Sequence, residues 1–317
     1  MQTCAVVIPE PGRVELSQVT LKTPGPDDVI LQTAYTSISA GTERMLLAGQ
    51  MPHPMLALPV VPGYETVGRV TEVGANVDPA WVGRWAYVGG ALCYEGINAA
   101  WGGQAATLFT SAERVVALDE IAPRDGVLLA LAATSLHGID VLDTQPGDRV
   151  LVIGQGPVGQ LAARIAAERG AWVAVSDLNP ARLSRSVGDV VIQVDETPLQ
   201  EAITEPVTAI IESSGSMAAL AAALPLLDKG GTILLLGYYQ KLEVPYMPLF
   251  LKEARLLTAK EWAPGDLVRC RDMIADGRLE VGSLLTHTLP VSEISAAYDT
   301  AMNDPDCLKL VIDWTNA

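Results

Sequence analysis

Short apolar runs separated by polar loops fill the first third of the chain, at residues 5–8, 29–34, 67–73, 85–88 and 114–118. With Pro and Gly recurring between them, that spacing predicts short strands joined by turns, as in a small barrel or sandwich. The loops at 37–43 and 62–68 are polar and carry glycine. From Arg124 the pattern changes. Leu128, Leu129, Leu131, Ala132 and Leu136 recur near helical spacing. This helix leads into residues 149–177, which read strand, glycine turn, helix, strand. Alternation then continues, with strands predicted at 190–194, 209–213 and 232–237 and helices at 217–227, 249–255 and 266–276. Such alternation predicts a doubly wound parallel sheet. Beyond Gly282, a strand at 284–289, a helix at 291–302 and a last strand at 308–313 are expected to return to the first domain. There is no internal repeat and no low-complexity tract.

The glycine turn carries chemistry. Val150, Leu151, Val152 and Ile153 form the apolar run of a strand buried on both faces. Gly154, Gly156 and Gly159 then fit G-x-G-x-x-G. The first allows the sharp turn, the second lets backbone approach a pyrophosphate, and the third lets helix and strand pack closely. Pro157 and Val158 open the helix, whose N-terminal N–H groups face the phosphates. The next strand ends in Asp177, where a carboxylate can take both ribose hydroxyls of NAD. It would repel the 2′-phosphate of NADP, and no Arg or Lys follows until Arg182. Ser214, Gly215 and Gly237 are expected to border the nicotinamide half.

A length of 317 residues suggests two domains. The net charge of −16 excludes nucleic acid as an expected partner and disfavours electrostatic docking on anionic lipid. Cys4, Cys93, Cys270 and Cys307 are scattered and form no C-x-x-C pair, so reduced thiols in a cytoplasmic protein are expected. The N-terminus lacks a basic segment followed by a long apolar one, so no signal peptide is expected. The apolar stretch 126–142 is interrupted by His137 and Asp140 and reads as a buried helix, so no integral membrane segment is expected.

Several motifs carry a family resemblance. PGYETVGRVTEVG (62–74) is similar to a P-G-H-E-x-x-G segment, and ATSLHGI (133–139), ESSG (212–215) and GGTILLLG (230–237) go with it. With the β–Rossmann–return order, the whole chain resembles the medium-chain dehydrogenase/reductase superfamily. The resemblance implies an α/β fold. A GroES-like β-barrel catalytic domain would span 1–122 and be completed by 284–317, with a Rossmann NAD-binding domain at 123–283. It also implies a homodimer through edge strands, with 232–236 the expected edge. A closer similarity rests on SISAGTERMLLAGQMP (37–52), LLALAATSLHG (128–138), LKEARLLTAKEW (251–262), LLTHTLP (284–290) and DPDCLKLVIDW (304–314). These resemble the 3-hydroxyethyl bacteriochlorophyllide a dehydrogenase family. The implied reaction is NAD-dependent oxidation of a 1-hydroxyethyl group to acetyl on a tetrapyrrole substrate.

Many members of the superfamily hold a catalytic zinc. Position by position, their ligands fall here on Ala40, Tyr64 and Ala130, and only Glu65, the acid after the lost His, remains. Zinc needs three or four converging N, S or O ligands, so no metal is expected. His53, His137 and His287 offer no H-x-x-x-H pair. Without metal, a base or relay must take the alcohol's proton. Thr42, Tyr64 and Glu65 lie on the two loops that frame the active site in the family, and His137 is a further candidate. Each has a plainer role open to it: a loop cap for Thr42, ring packing for Tyr64, orientation of a neighbour for Glu65, and a core histidine for His137. Two other functions stay open. One is a metal-free quinone or enone reductase on the same fold. The other is a non-enzymatic nucleotide-binding scaffold.

Overall fold

The structure, a computed structural model, describes residues 1–51 and 57–316; Pro52 and His53 lie outside them. The chain divides into two compact units. The first combines Met1–Ala130 with Leu285–Ala317, and the second is Leu131–Leu284.

The strand Asp28–Ser37 is the spine of the first unit's largest sheet. Val29, Leu31 and Thr33 are buried and Gln32 is exposed, the alternation that a pleated strand imposes. One side of the spine pairs antiparallel with Thr66–Val73, followed outward by Trp85–Val88 and Val115–Ala117. The other side takes two partners in succession. Thr107–Ser111 pairs with residues 28–32, and Leu310–Asp313 pairs with residues 35–37. Leu310–Asp313 in turn lies parallel to His287–Pro290, so the returning segment is built into the sheet. Two small sheets complete the unit. Gln2–Val7, Glu15–Leu21 and Tyr94–Glu95 form one, and Val60–Val61 with Asn98–Ala99 forms the other. Val29, Leu31, Val70, Ala86, Val88 and Leu108 pack into one core cluster. Ile294 and Tyr298, on the helix Ile294–Asn303, pack with Ile38, Ile312 and Trp314 into another. Each fully buried Val, Leu or Ile contributes about 1.5–3 kcal/mol.

The second unit is a six-stranded, all-parallel sheet. Across it the order is Val190–Gln193, Trp172–Asp177, Arg149–Ile153, Val207–Glu212, Leu227–Leu235 and Arg255–Thr258. Val150, Leu151, Val152, Val173, Ala174 and Val175 are fully buried, as strands covered on both faces must be. The order runs outward in both directions from Arg149–Ile153. The reversal therefore falls between that strand and Val207–Glu212, where open α/β sheets form a ligand crevice at their carboxyl ends.

Two expectations fail here. Residues 232–236 are not an edge, because their strand is flanked by Val207–Glu212 and Arg255–Thr258. Strand order in a parallel sheet is set by crossovers, which local hydropathy does not record. The helix placed at 249–255 is Tyr246–Lys252; Glu253 turns left-handed at φ 51°, and Arg255 begins the edge strand. Among the described residues, Asp125–Leu142 is long and apolar enough to cross a membrane. Of that stretch 72% is buried within the protein, which makes it a core helix.

Candidate active site

In the second unit the strand Arg149–Ile153 runs into Gly154, which adopts φ +88°. A Cβ there would sit 2.7 Å from the Ser214 backbone. At Gly159 a Cβ would meet the Gly154 carbonyl oxygen at 1.9 Å and Ser213 Oγ at 2.5 Å, so any side chain would drive the helix off the sheet. A Cβ on Gly156, by contrast, would meet nothing within 4 Å. Gly156 caps the helix Pro157–Glu168, whose first residue is a proline and which continues through Val158. The Gln155 N–H within this turn donates to Asp177 Oδ2 at 2.6 Å. The Asn179 N–H donates to Asp177 Oδ1 at 2.8 Å. Turn and acid are thus one bonded unit. Gly215 adopts φ +77°, and a Cβ on Gly237 would meet the Gly215 nitrogen at 2.8 Å. The sheet brings all the expected dinucleotide-contacting residues to its carboxyl ends. This open, N–H-rich turn beside an acid fits a dinucleotide.

In the first unit the helix Ala40–Leu47 follows Ser39. Ser39 Oγ lies 2.5 Å from Tyr64 Oη, Thr42 Oγ1 lies 3.4 Å from the same oxygen, and Ser39 and Thr42 are 3.4 Å apart. Three hydroxyls therefore share one point. Ser39 is not among the residues the sequence points to, although it lies within the polar loop 37–43. The Tyr64 ring packs edge-on against Trp101, with centroids 5.2 Å apart, and the Tyr87 hydroxyl holds the Tyr64 carbonyl at 2.7 Å. Loss of solvent, then the Glu65 charge, pushes the Tyr64 hydroxyl well above its usual range, so it stays protonated at neutral pH.

Glu65 does not join that cluster. Its carboxylate is bonded to the Lys309 ammonium and the Ser37 hydroxyl, and both charged side chains are almost fully buried. Glu43 is also buried. The Ser39 N–H donates to its carboxylate at 3.3 Å, and Gln104 Nε2 donates to both of its oxygens at 3.3 Å. Gln104 is held in turn by the Tyr298 hydroxyl at 3.0 Å. Burial pushes the Glu43 carboxyl up to about 7, against the pull of Tyr298. His137 belongs to the second unit. Its Nδ1 lies 3.9 Å from Asp266, which also binds Arg269 at 2.9 Å and the Ala263 N–H at 2.8 Å. Arg269 and Arg169 both bind Asp140 as well, so His137 lies beside a cluster of Arg–Asp ion pairs.

These side chains do not fit a zinc ion. Ala40 begins a helix, Ala130 is a fully buried alanine, and Tyr64 presents a protonated phenol. The Glu65 carboxylate is already committed. Among the described residues no group of three or more His, Cys, Asp or Glu could hold a metal.

Two family models match the chain: an alcohol dehydrogenase GroES-like domain over residues 25–120 and a zinc-binding dehydrogenase domain over residues 157–265. The second match contains none of Ala40, Tyr64 and Ala130. Along its full length the chain is 36% identical to 2-desacetyl-2-hydroxyethyl bacteriochlorophyllide A dehydrogenase of Rhodobacter capsulatus, over 321 residues and 100% of both chains. The chain belongs to this dehydrogenase family, within the medium-chain dehydrogenase/reductase superfamily. A relative of the same name from Cereibacter sphaeroides is 35% identical over 99% of each chain. The fold matches a solved alcohol dehydrogenase from Escherichia coli complexed with NADH, at TM-score 0.87 and 21% identity over 99% of each chain.

Proposed function

We propose that this protein oxidises the 1-hydroxyethyl group of a bacteriochlorophyllide precursor to an acetyl group, with NAD as acceptor and without metal. The names of the two full-length relatives support the substrate. The observation that carries the mechanism is the cluster of Ser39, Thr42 and Tyr64 hydroxyls where zinc relatives place a ligand. Bound NAD would supply the acceptor for the carbinol carbon's hydride. Gly154, Gly156, Pro157 and Val158 would hold its pyrophosphate, with Gly159 letting the helix sit close against the strand; Asp177 would take its ribose hydroxyls, and Ser214, Gly215 and Gly237 would border its nicotinamide half. A ribose diol suits the Asp177 carboxylate and a 2′-phosphate does not, which favours NAD over NADP.

The proton is the task of the first unit. Tyr64 is protonated, so it accepts the substrate proton only while passing its own to Ser39 or Thr42. Ser39 is buried and Thr42 is partly exposed, so Thr42 is the outlet of the relay to water. Glu65 is assigned to its ion pair with Lys309, and His137 to its place beside Asp266. A homodimer accompanies this reading. Among the described residues the edge strand Arg255–Thr258 has a partner on one side only, and the exposed Tyr246, Met247, Phe250 and Leu251 precede it. Unpaired strand edges pair with further strands, and light scattering at twice the chain mass is the expected result.

The test is turnover of a hydroxyethyl chlorin with NAD. Wild type should form the acetyl product, and Tyr64→Phe should lower the rate about 10²–10⁴-fold with NADH affinity unchanged. A Tyr64→Phe enzyme with normal turnover would assign the ring to packing and refute the relay. Wild type that reduces enones with NADPH would instead be the reductase, and wild type with no turnover in either direction would be the scaffold.

A further inference from the structure

Glu212 ends the strand Val207–Glu212 and is completely buried. One carboxylate oxygen accepts from the Ser214 N–H at 2.8 Å and from the Ser214 hydroxyl. The other accepts from the Gly215 N–H at 3.1 Å and from the Tyr239 hydroxyl. Its backbone carbonyl accepts from Leu236 at 2.8 Å, Gly237 at 3.0 Å and the Tyr239 hydroxyl at 3.1 Å. One residue thus binds both turns that leave neighbouring strands at the carboxyl end of the sheet. The junction is also full: a Cβ on Gly237 would meet Tyr239 Oη at 2.6 Å and Glu212 Oε2 at 2.9 Å. Burial and the adjacent Glu212 carboxylate push the Tyr239 hydroxyl well up, so it remains a donor.

We propose that Glu212, capped by Tyr239, is a positioning residue for the nicotinamide half of the cofactor site. This rests on the cofactor reading given under Proposed function. Ser214, Gly215 and Gly237 are the groups assigned to that half, and all three are bonded to Glu212. A carboxylate can accept from four donors, whereas a glutamine amide must turn its own N–H₂ toward two of them. Glu212→Gln therefore has to shift the 213–215 turn, the Tyr239 hydroxyl that packs against Gly237, or both. The adenosine half, built on Gly154–Gly159 and Asp177, donates no hydrogen bond to the Glu212 side chain; its one bond to the 213–215 turn runs from the Ser213 hydroxyl to the Gly154 carbonyl at 2.9 Å, at the end of the turn away from the carboxylate's partners.

The experiment compares two probes on the full chain: NADH, by its fluorescence on binding, and AMP, by calorimetry. Glu212→Gln should weaken NADH about 10-fold or more and leave AMP within about 2-fold of wild type. In turnover, KM for NAD should rise more than kcat falls. Tyr239→Phe removes one donor and should weaken NADH about 3-fold, again sparing AMP. Equal loss of both probes would assign Glu212 to general folding and overturn the proposal, as would unchanged NADH binding in both variants. If Glu212→Gln fails to fold, the NADH-to-AMP affinity ratio of Tyr239→Phe decides alone, and an unchanged ratio overturns it. Wild type that binds AMP but neither NADH nor NADPH would overturn the cofactor reading itself, and the inference with it.

Discussion

Replacing Lys309 by methionine keeps an unbranched chain of similar length and removes only the charge. The Lys309 and Glu65 side chains are 2% and 0% exposed. Without the ammonium, the Glu65 carboxylate keeps one partner, the Ser37 hydroxyl, because its Oε1 bonds to no other described group. Stranding one member of a buried ion pair costs about 3–5 kcal/mol. Against a total stability on the order of 5–15 kcal/mol, that is a large fraction. Lys309→Met should therefore lower unfolding free energy by about 3–5 kcal/mol. Glu65→Gln/Lys309→Met, which removes both charges, should recover most of it, with a coupling energy of about 2 kcal/mol or more. Urea unfolding followed by tryptophan fluorescence reports mainly on the right unit, since four of the six tryptophans, Trp81, Trp85, Trp101 and Trp314, lie there and only Trp172 and Trp262 lie in the second. Trp314 is especially close to the event: it is buried beside Leu310–Asp313 and donates to Thr36 Oγ1 at 2.9 Å. The double variant should also retain turnover, because Glu65 does not bond the Tyr64 hydroxyl. A Lys309→Met protein within 1 kcal/mol of wild type would refute the energetic reasoning. A stable but inactive double variant would restore Glu65 as the base.

Three further outcomes are expected. Folded Glu43 holds its proton to about 7 against 4.5 for an unperturbed glutamate, so its contribution to stability is full below pH 4.5 and lost as pH rises through 7. Urea midpoints should fall over that window by the equivalent of roughly 3 kcal/mol, and Glu43→Gln should flatten the dependence; an equally steep variant would rule Glu43 out as its source. Asp177→Ala should weaken NAD by about 1.5–3 kcal/mol and relax discrimination against NADP, and equal use of both by wild type would contradict the role given to Asp177. Elemental analysis should find no stoichiometric zinc and chelators should leave activity intact, whereas one zinc per chain with activity lost on its removal would reverse the metal assignment.

What could be read in the residues depended on how local the physics was. Gly154, Gly156, Gly159 and Asp177 are legible because a turn, a close approach and a strand end are set within one βαβ unit. Tyr64 and Thr42 were legible through the motifs around them. Their companions were not. Gln104 reaches Glu43 across 61 residues of sequence, and Tyr298 reaches Gln104 across 194. Lys309 interrupts an otherwise apolar run, and nothing local marks it as the partner of Glu65. Glu212 lay inside the ESSG motif, but its role depends on Tyr239, which the motif does not contain. The strands Val60–Val61 and Asn98–Ala99 are two residues each, too short for any periodicity to register.

The returning C-terminal strand also sets a clock on biogenesis. Leu310–Asp313 occupies a place beside Asp28–Ser37 that no earlier strand among the described residues fills. On a ribosome adding about 5–20 residues per second, Lys309 emerges about 240 residues after Glu65, some 12–50 seconds later. During that interval the spine strand keeps an open edge at residues 35–37 and the buried acid has no cation. The second unit, contiguous in the chain, can close while the first still waits. A nascent chain stalled before residue 309 would therefore present a finished dinucleotide fold fused to an incomplete β domain, a natural client for chaperones and a ready substrate for proteases.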